Sequence, residues 1–303
     1  MQNRTPLTLI TGSLGSGKTT LLQRLIAVHG SRLAVLINEF GEIGIDSRII
    51  QGEHIRLIEL AGGCVCCELA GEFVAAVNEL LDKYQPEMLV LEATGVAEAD
   101  ALVYEVEDDL PRVRLECVIC IVDGWADTRY PQIGYAGRLQ LQQADIILIN
   151  KADLITAEEL ERVRTKVRGY NPTAAIIATE RCAGVEALLF ADHRASEKPP
   201  AAANPLHGAG LQSFAYTSAR PLIESAFTAW ADALAPEVFR SKGFVRLEGR
   251  GCLFNFVAGR WELEPFEATS TQLVFIGSHL SSRQDEIING LKLCEQHDEI
   301  PLS

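Results

Sequence analysis

One stretch constrains this chain more than any other: Gly-Ser-Leu-Gly-Ser-Gly-Lys-Thr at residues 12–19. It satisfies G-x-x-x-x-G-K-[ST] and lies between an apolar run at 7–10 and a helix-like run at 20–28, the strand–loop–helix setting that motif requires. Gly12, Gly15 and Gly17 let backbone N–H groups converge on an anion, and the helix N-terminus adds positive potential. Ser16, Lys18, Thr19 and Thr20 complete the cradle. Lys18 is placed to reach β- and γ-phosphates, and the Thr19 hydroxyl to hold Mg²⁺. A chain organised around such a loop binds a nucleotide.

The rest of the first two thirds suits that loop. Apolar runs at 7–10, 33–38, 55–60, 88–91, 116–122, 145–150 and 174–178 alternate with helical spacing at 20–28, 68–84 and 158–170. Near-continuous apolar runs read as strands buried on both faces, so the expected fold is α/β: a doubly wound, mostly parallel sheet. Ligands of such sheets sit at the carboxyl ends of the strands. Residues 196–210 carry three prolines and no periodicity, which reads as a linker. Beyond it, strands are expected at 212–217, 243–248, 253–257 and 273–276, with helices at 221–234 and 283–294. Strands that follow one another directly imply a smaller α+β domain. The expected division is therefore 1–195, a linker at 196–210, and 211–303. At 303 residues there is core enough for both.

Charge narrows the partners. A net charge of −14 and a pI near 4.9 argue against nucleic acid and anionic membranes, and no apolar run is long enough to span a bilayer. Met1 lies only a few residues before the first strand, so no signal peptide is expected and the location reads as cytoplasmic. The eight cysteines should then be mostly thiols.

Asn150-Lys-Ala-Asp153 closes the run at 145–150. A carboxylate there can accept two hydrogen bonds from guanine N1–H and N2–H₂, a donor pair that adenine lacks. Asp153 would read the base and the Lys151 stem would pack over its face, which makes GTP or GDP the ligand. The turn Thr179-Glu180 could add backbone contacts. Leu89-Val-Leu-Glu-Ala-Thr-Gly95 ends a strand with Glu92, placed to act on Mg²⁺ through water or on the attacking water, and with Gly95, whose N–H could sense the γ-phosphate. Asn38-Glu-Phe-Gly-Glu-Ile-Gly-Ile-Asp46 suits a switch loop, with Asp46 near Mg²⁺. Asp123 also ends a strand, with no role visible in the sequence.

Gly62-Gly-Cys-Val-Cys-Cys67 places three thiols within four residues. Cys64, Cys66 and Cys67 can converge on one soft or borderline cation, Zn²⁺, Co²⁺ or Cu⁺, just ahead of a helix N-terminus that favours thiolate. Glu42 of the switch-like loop could supply a fourth ligand. A redox-active pair or incidental buried cysteines are the competing readings. Cys117 and Cys120 stand at an odd offset on a strand and point to opposite faces. Cys182, Cys252 and Cys294 read as ordinary buried thiols, His193 and His207 as at most a loose accessory metal site, and His279 as a surface or core residue.

Together, GSLGSGKTT, NEFGEIGID, GGCVCC, LEATG and NKAD resemble the CobW-type metal-chaperone GTPases, relatives of the urease and hydrogenase nickel-insertion GTPases. Arg240-Ser-Lys-Gly243 and Phe275-Ile-Gly277 are similar to elements of their second domain, so the resemblance spans nearly the whole chain. It implies GTP·Mg²⁺-dependent binding of Zn²⁺ or Co²⁺ at Cys64, Cys66 and Cys67, with Glu42 beside them. It also implies slow hydrolysis with release of the metal to a client metalloprotein or cobalt-insertion machinery, and leaves a nucleotide-dependent homodimer open. Ile37 stands where some members carry an acid, and the His-rich tract of many members is reduced to His193 and His207. Two alternatives remain: a metal-regulated GTPase that docks a partner through its C-terminal domain without delivering metal, and a redox-controlled GTPase.

Overall fold

The computed structural model describes residues 4–39, 56–61, 70–93, 109–189, 204–205 and 211–296. The chain divides at Glu186 into two compact units, nine residues ahead of the expected end of the first domain.

In the first unit the elements run β1 Thr5–Gly12, α1 Lys18–His29, β2 Leu33–Glu39, β3 Arg56–Ala61, α2 Ala70–Tyr84, β4 Met88–Ala93, β5 Val113–Asp123, α3 Gly124–Arg129, α4 Tyr135–Gln143, β6 Ile146–Asn150, α5 Ala157–Tyr170 and β7 Ala175–Ala178. The strands form one sheet in the order β3-β2-β4-β1-β5-β6-β7, with every pairing parallel. That is the doubly wound sheet expected from the apolar runs. β4 is buried at all six positions, as a strand covered on both faces must be. Val77, Leu80 and Leu81 of α2 pack on Leu9, Leu36 and Leu91, while Val163 and Val167 of α5 pack on Ile147, Ile149 and Ile176. Each such aliphatic side chain contributes about 1.5–3 kcal/mol on burial. α5 is fixed at its start by a reciprocal capping box between Thr156 and Glu159.

The order of the strands decides which loops can meet. β1 is central, and the carboxyl ends of β3, β2, β4 and β1 follow one another along one rim. Register places Glu39 beside Ala61, Asn38 beside Ala93, and Ile10 beside Glu92.

The second unit is an antiparallel sheet in the order β12-β11-β10-β13-β9-β8. Its strands are β8 Asn204–Pro205, β9 Leu211–Ser218, β10 Val238–Leu247, β11 Arg250–Val257, β12 Arg260–Pro265 and β13 Thr271–Ser278; α6 Glu224–Asp232 and α7 Gln284–Leu293 cover one face. Aromatic rings fill the space between: Phe214 stacks on Phe275 at 4.8 Å, and Phe227 meets Phe254 edge-on at 5.1 Å. Two expectations change here. Asn204 and Pro205, within the expected linker, pair with Ser213 and Gln212. β10 begins at Val238, not 243: Arg240 and Lys242, which read as loop residues, are buried within the strand. Among the described residues, no helix is long and apolar enough to cross a membrane.

Candidate nucleotide site

The phosphate loop follows from its glycines. Gly12 has φ 138°, and a Cβ there would lie 2.4 Å from the Ile121 carbonyl oxygen. Gly17 has φ 118°, and its Cβ would lie 2.4 Å from Asn150 Nδ2. Side chains at either position would push the loop off β5 and β6. Gly17 also precedes α1, whose N-terminus carries no side-chain cap and no acidic residue in its first turn. Its N–H groups and dipole therefore favour an anion.

Lys18 is 7% exposed and folds back across the loop, donating to the carbonyl oxygens of Gly12 at 3.1 Å and Ser13 at 3.3 Å. Ser16 is fully buried, and its Oγ has no hydrogen-bond partner among the described residues. Such a hydroxyl costs about 1–3 kcal/mol unless something reaches it. A phosphate oxygen would supply the acceptor, so the cradle fits the group the motif implies. Thr19 and Thr20 are half-buried in the first turn of α1. Glu92, 4% exposed, is the penultimate residue of β4 and pairs with Ile10 of β1.

The base side is tied to this loop by one amide. Asn150 Nδ2 donates to the Ser16 carbonyl at 2.8 Å, while its Oδ1 accepts from Thr179 Oγ1 at 3.2 Å and from the Cys182 N–H at 3.0 Å. The Cys182 thiol in turn points at the Gly17 carbonyl, 3.7 Å away. Asn150 thus joins three segments, and does so from inside the protein. The Ala152 N–H donates to the Thr179 carbonyl at 3.1 Å, closing the Asn150–Asp153 turn against the Thr179 turn and leaving Asp153 exposed. Lys151, Arg181 and Cys182 all have φ between 50° and 60°. Left-handed backbone at a non-glycine residue costs about 1–2 kcal/mol, so strain gathers around the expected base position. Lys151 Nζ donates to Asp123 Oδ2 at 2.5 Å.

Beside the loop, a cavity of about 390 Å³ is lined by Gly12, Ser13, Cys120, Asp123, Asp127 and Gln140 among others. Burial pushes the Cys120 thiol up to about 12, against the opposing influence of Thr11 and the Lys18 charge. Burial does the same to Cys182, also to about 12. Neither is a thiolate at neutral pH. Cys252 and Cys294 are buried as expected, and His279 is exposed.

Cys64, Cys66, Cys67, Glu42, Asp46 and Gly95 lie outside the described residues. Among the described residues, no cluster of three His, Cys, Asp or Glu side chains is placed to hold a metal. The structure does show where the flanking chain begins and ends. β2 stops at Glu39, three residues before Glu42, and β3 stops beside it at Ala61, three residues before Cys64. α2 resumes at Ala70, three residues after Cys67. Sequence reasoning missed Asp123, Thr179 and Cys182 as parts of the site, although Thr179 had been marked for its backbone.

Comparison with known proteins shows which family the chain resembles along both units. The model for "CobW/HypB/UreG, nucleotide-binding domain" matches residues 6–178, and that for "Cobalamin synthesis protein cobW C-terminal domain" matches residues 211–295. A zinc chaperone CobW of Pseudomonas aeruginosa is 31% identical over 95% of this chain and 90% of its own length. A zinc-regulated GTPase metalloprotein activator 1 of Dictyostelium discoideum is 24% identical over 79% of this chain and 62% of its own. The crystal structure of a Zn(II)-bound YjiA GTPase from Escherichia coli aligns at 22% identity with a TM-score of 0.47, covering 97% of this chain and 100% of that one.

Proposed function

This chain belongs to the CobW/HypB/UreG family of P-loop GTPases, and from that premise we propose that it is a GTP-dependent metallochaperone. It takes up Zn²⁺ or Co²⁺ at Cys64, Cys66 and Cys67, with Glu42 alongside, and gives the ion to a client metalloprotein after hydrolysis. The observation that carries this reading is the adjacency of β2 and β3. Paired strands are about 4.8 Å apart, and three extended residues reach at most about 11 Å. Glu42 and Cys64 therefore leave neighbouring strand ends with the reach to share one ion. The strand order also sets the coupling distance: β3 lies three strand spacings, about 14 Å, from β1 and its phosphate loop. The chain leaving β2, between them, is the segment able to answer to both.

In this scheme the Lys18 ammonium exchanges the Gly12 and Ser13 carbonyls for the β- and γ-phosphates, and Ser16 Oγ gains its partner. Thr19 and Asp46 would hold Mg²⁺, which offsets phosphate charge. Glu92, held near the end of β4, orients water, and the Gly95 N–H registers the γ-phosphate. Asp153 reads the guanine edge, Lys151 covers its face, and Asn150 keeps both turns against the phosphate loop. Loss of the γ-phosphate frees the 38–46 segment and lowers metal affinity. By linkage, metal must tighten GTP binding by the factor that GTP tightens metal binding; a 100-fold coupling corresponds to about 2.7 kcal/mol.

The test is a Co²⁺ titration followed by visible absorption, with Mg²⁺ and either a non-hydrolysable GTP analogue or GDP. Thiolate-to-cobalt charge-transfer bands should develop tightly with the analogue, weakly with GDP, and not at all in Cys66→Ala. Equal cobalt affinity with both nucleotides would remove the switch, and the absence of thiolate bands would remove the metal site.

A further inference from the structure

We infer that Asp123 is a positioning residue of the base site, acting through Lys151; this rests on the guanine-nucleotide reading above. Asp123 ends β5, and the parallel register sets it opposite Asn150 at the end of β6, one residue before Lys151. Its two carboxylate oxygens have separate duties. Oδ1 accepts from the Ala126 N–H at 2.9 Å, capping α3, and Oδ2 accepts from Lys151 Nζ at 2.5 Å. The Asp123 side chain is 9% exposed and that of Lys151 is 34%. With one oxygen held by a helix N-terminus, the carboxylate is not free to swing, and the other oxygen marks a fixed point beside the site.

Lys151 is held at both ends. Its backbone sits in the left-handed region at φ 60°, ahead of the turn Ala152–Leu154, and its ammonium is pinned on Asp123. The four methylenes run between these two fixed points. Lysine normally keeps more rotamer freedom than almost any other side chain, and a base that stacks on a wandering stem must first still it. Here the stem is ordered before nucleotide arrives, so its apolar flank is a preformed surface for the purine face. Asp123 touches no part of the nucleotide in this scheme. Its contribution reaches the base through Lys151 alone.

The experiment measures the affinity of the full chain for fluorescent methylanthraniloyl-GDP in wild type, Asp123→Asn, Lys151→Met and the double variant. Asparagine keeps an oxygen for the Ala126 N–H and turns an amide NH₂ toward the ammonium, so it cuts the ion pair and leaves the helix cap. Asp123→Asn should raise Kd about tenfold, which is about 1.4 kcal/mol. Lys151→Met should lose a similar factor, and adding Asp123→Asn to it should change nothing further. In steady-state GTP turnover KM should rise by the same factor with kcat within about twofold, because a base contact is equally present in ground and transition states. Losses that multiply in the double variant would overturn the proposal, as would wild-type affinity in Asp123→Asn. Were Asp123→Asn not to fold, Lys151→Arg against Lys151→Met decides: arginine keeps the ion pair and should stay within about threefold of wild type, and an arginine variant as weak as methionine would overturn the proposal. A wild-type chain that binds ADP and not GDP would defeat the guanine reading itself, an outcome distinct from all of these.

Discussion

Asn150→Ala is the most informative substitution in the first unit. It deletes the donor to the Ser16 carbonyl and the acceptor shared by Thr179 Oγ1 and the Cys182 N–H, three bonds from a side chain on a residue only 2% exposed. Water has little access to replace them, and at about 1 kcal/mol net for each bond the loss is about 3 kcal/mol. That corresponds to roughly 100-fold in an equilibrium constant. The loss should appear in nucleotide affinity, because the tether holds Lys151, Arg181 and Cys182 in left-handed backbone that would otherwise relax. Nucleotide would then have to rebuild the turn on binding. Stopped-flow displacement of methylanthraniloyl-GDP should show Kd raised about 100-fold, mostly through faster release. Thr179→Val removes one of the three bonds and should lose only about fivefold. Amide exchange at Cys182, followed by NMR on the nucleotide-free chain, should speed up in Asn150→Ala. An Asn150→Ala chain with GDP affinity within threefold of wild type refutes the reasoning, since the three buried bonds would then hold nothing the nucleotide needs.

Other outcomes follow from the same structure. Lys18→Ala should reduce GTP turnover, measured as phosphate release, by at least about 100-fold, because the phosphates lose their only ammonium among the described cradle residues. At pH 8, iodoacetamide should leave Cys120 and Cys182 unmodified in the folded chain and label both in urea, as read by peptide mass spectrometry, since burial pushes each thiol up to about 12. The same shifts give a sign for stability: below pH 9 the thiols are neutral whether folded or not, and above it the unfolded thiols ionise first. Stability of the first unit should therefore fall as pH rises from 9 toward 12, with Cys120→Ser shallower than wild type in urea unfolding. Phe275→Ala removes a fully buried ring stacked on Phe214 and should lower the stability of the second unit by about 3–5 kcal/mol, read from Trp230 and Trp261 fluorescence in urea.

What the sequence revealed was what local pattern encodes. The parallel strands declared themselves because burial on both faces demands unbroken apolar runs, and the phosphate loop because its glycines sit at positions no other residue fills. β12 went unseen: Arg-Trp-Glu-Leu-Glu-Pro is an edge strand, half-exposed along its length, and charge hides its alternation. β10 was begun too late because Arg240 and Lys242 look like loop residues, and only tertiary burial overrides that preference. The Pro-rich segment read as a linker contributes Asn204 and Pro205 to a sheet edge, a place where proline is tolerated. Asp123, Thr179 and Cys182 could not be assigned because their meaning lies in register. Asp123 faces Asn150 across 27 residues of chain, and Cys182 meets Gly17 across 165. A motif names the residues that touch ligand far more readily than those that hold them there.

The folded-back Lys18 has a consequence for how a phosphate is received. With its ammonium lodged on the Gly12 and Ser13 carbonyls, the phosphate loop is braced from within. An ammonium carries three N–H donors, so a phosphate oxygen can add to these carbonyl contacts or displace them, and its charge makes it the stronger acceptor. Guanosine, which brings no phosphate, would leave the lysine where it is. A di- or triphosphate brings several charges at once and can displace both carbonyls together. The same internal contact gives the cradle its shape in advance, so a di- or triphosphate would meet a loop already ordered around its lysine.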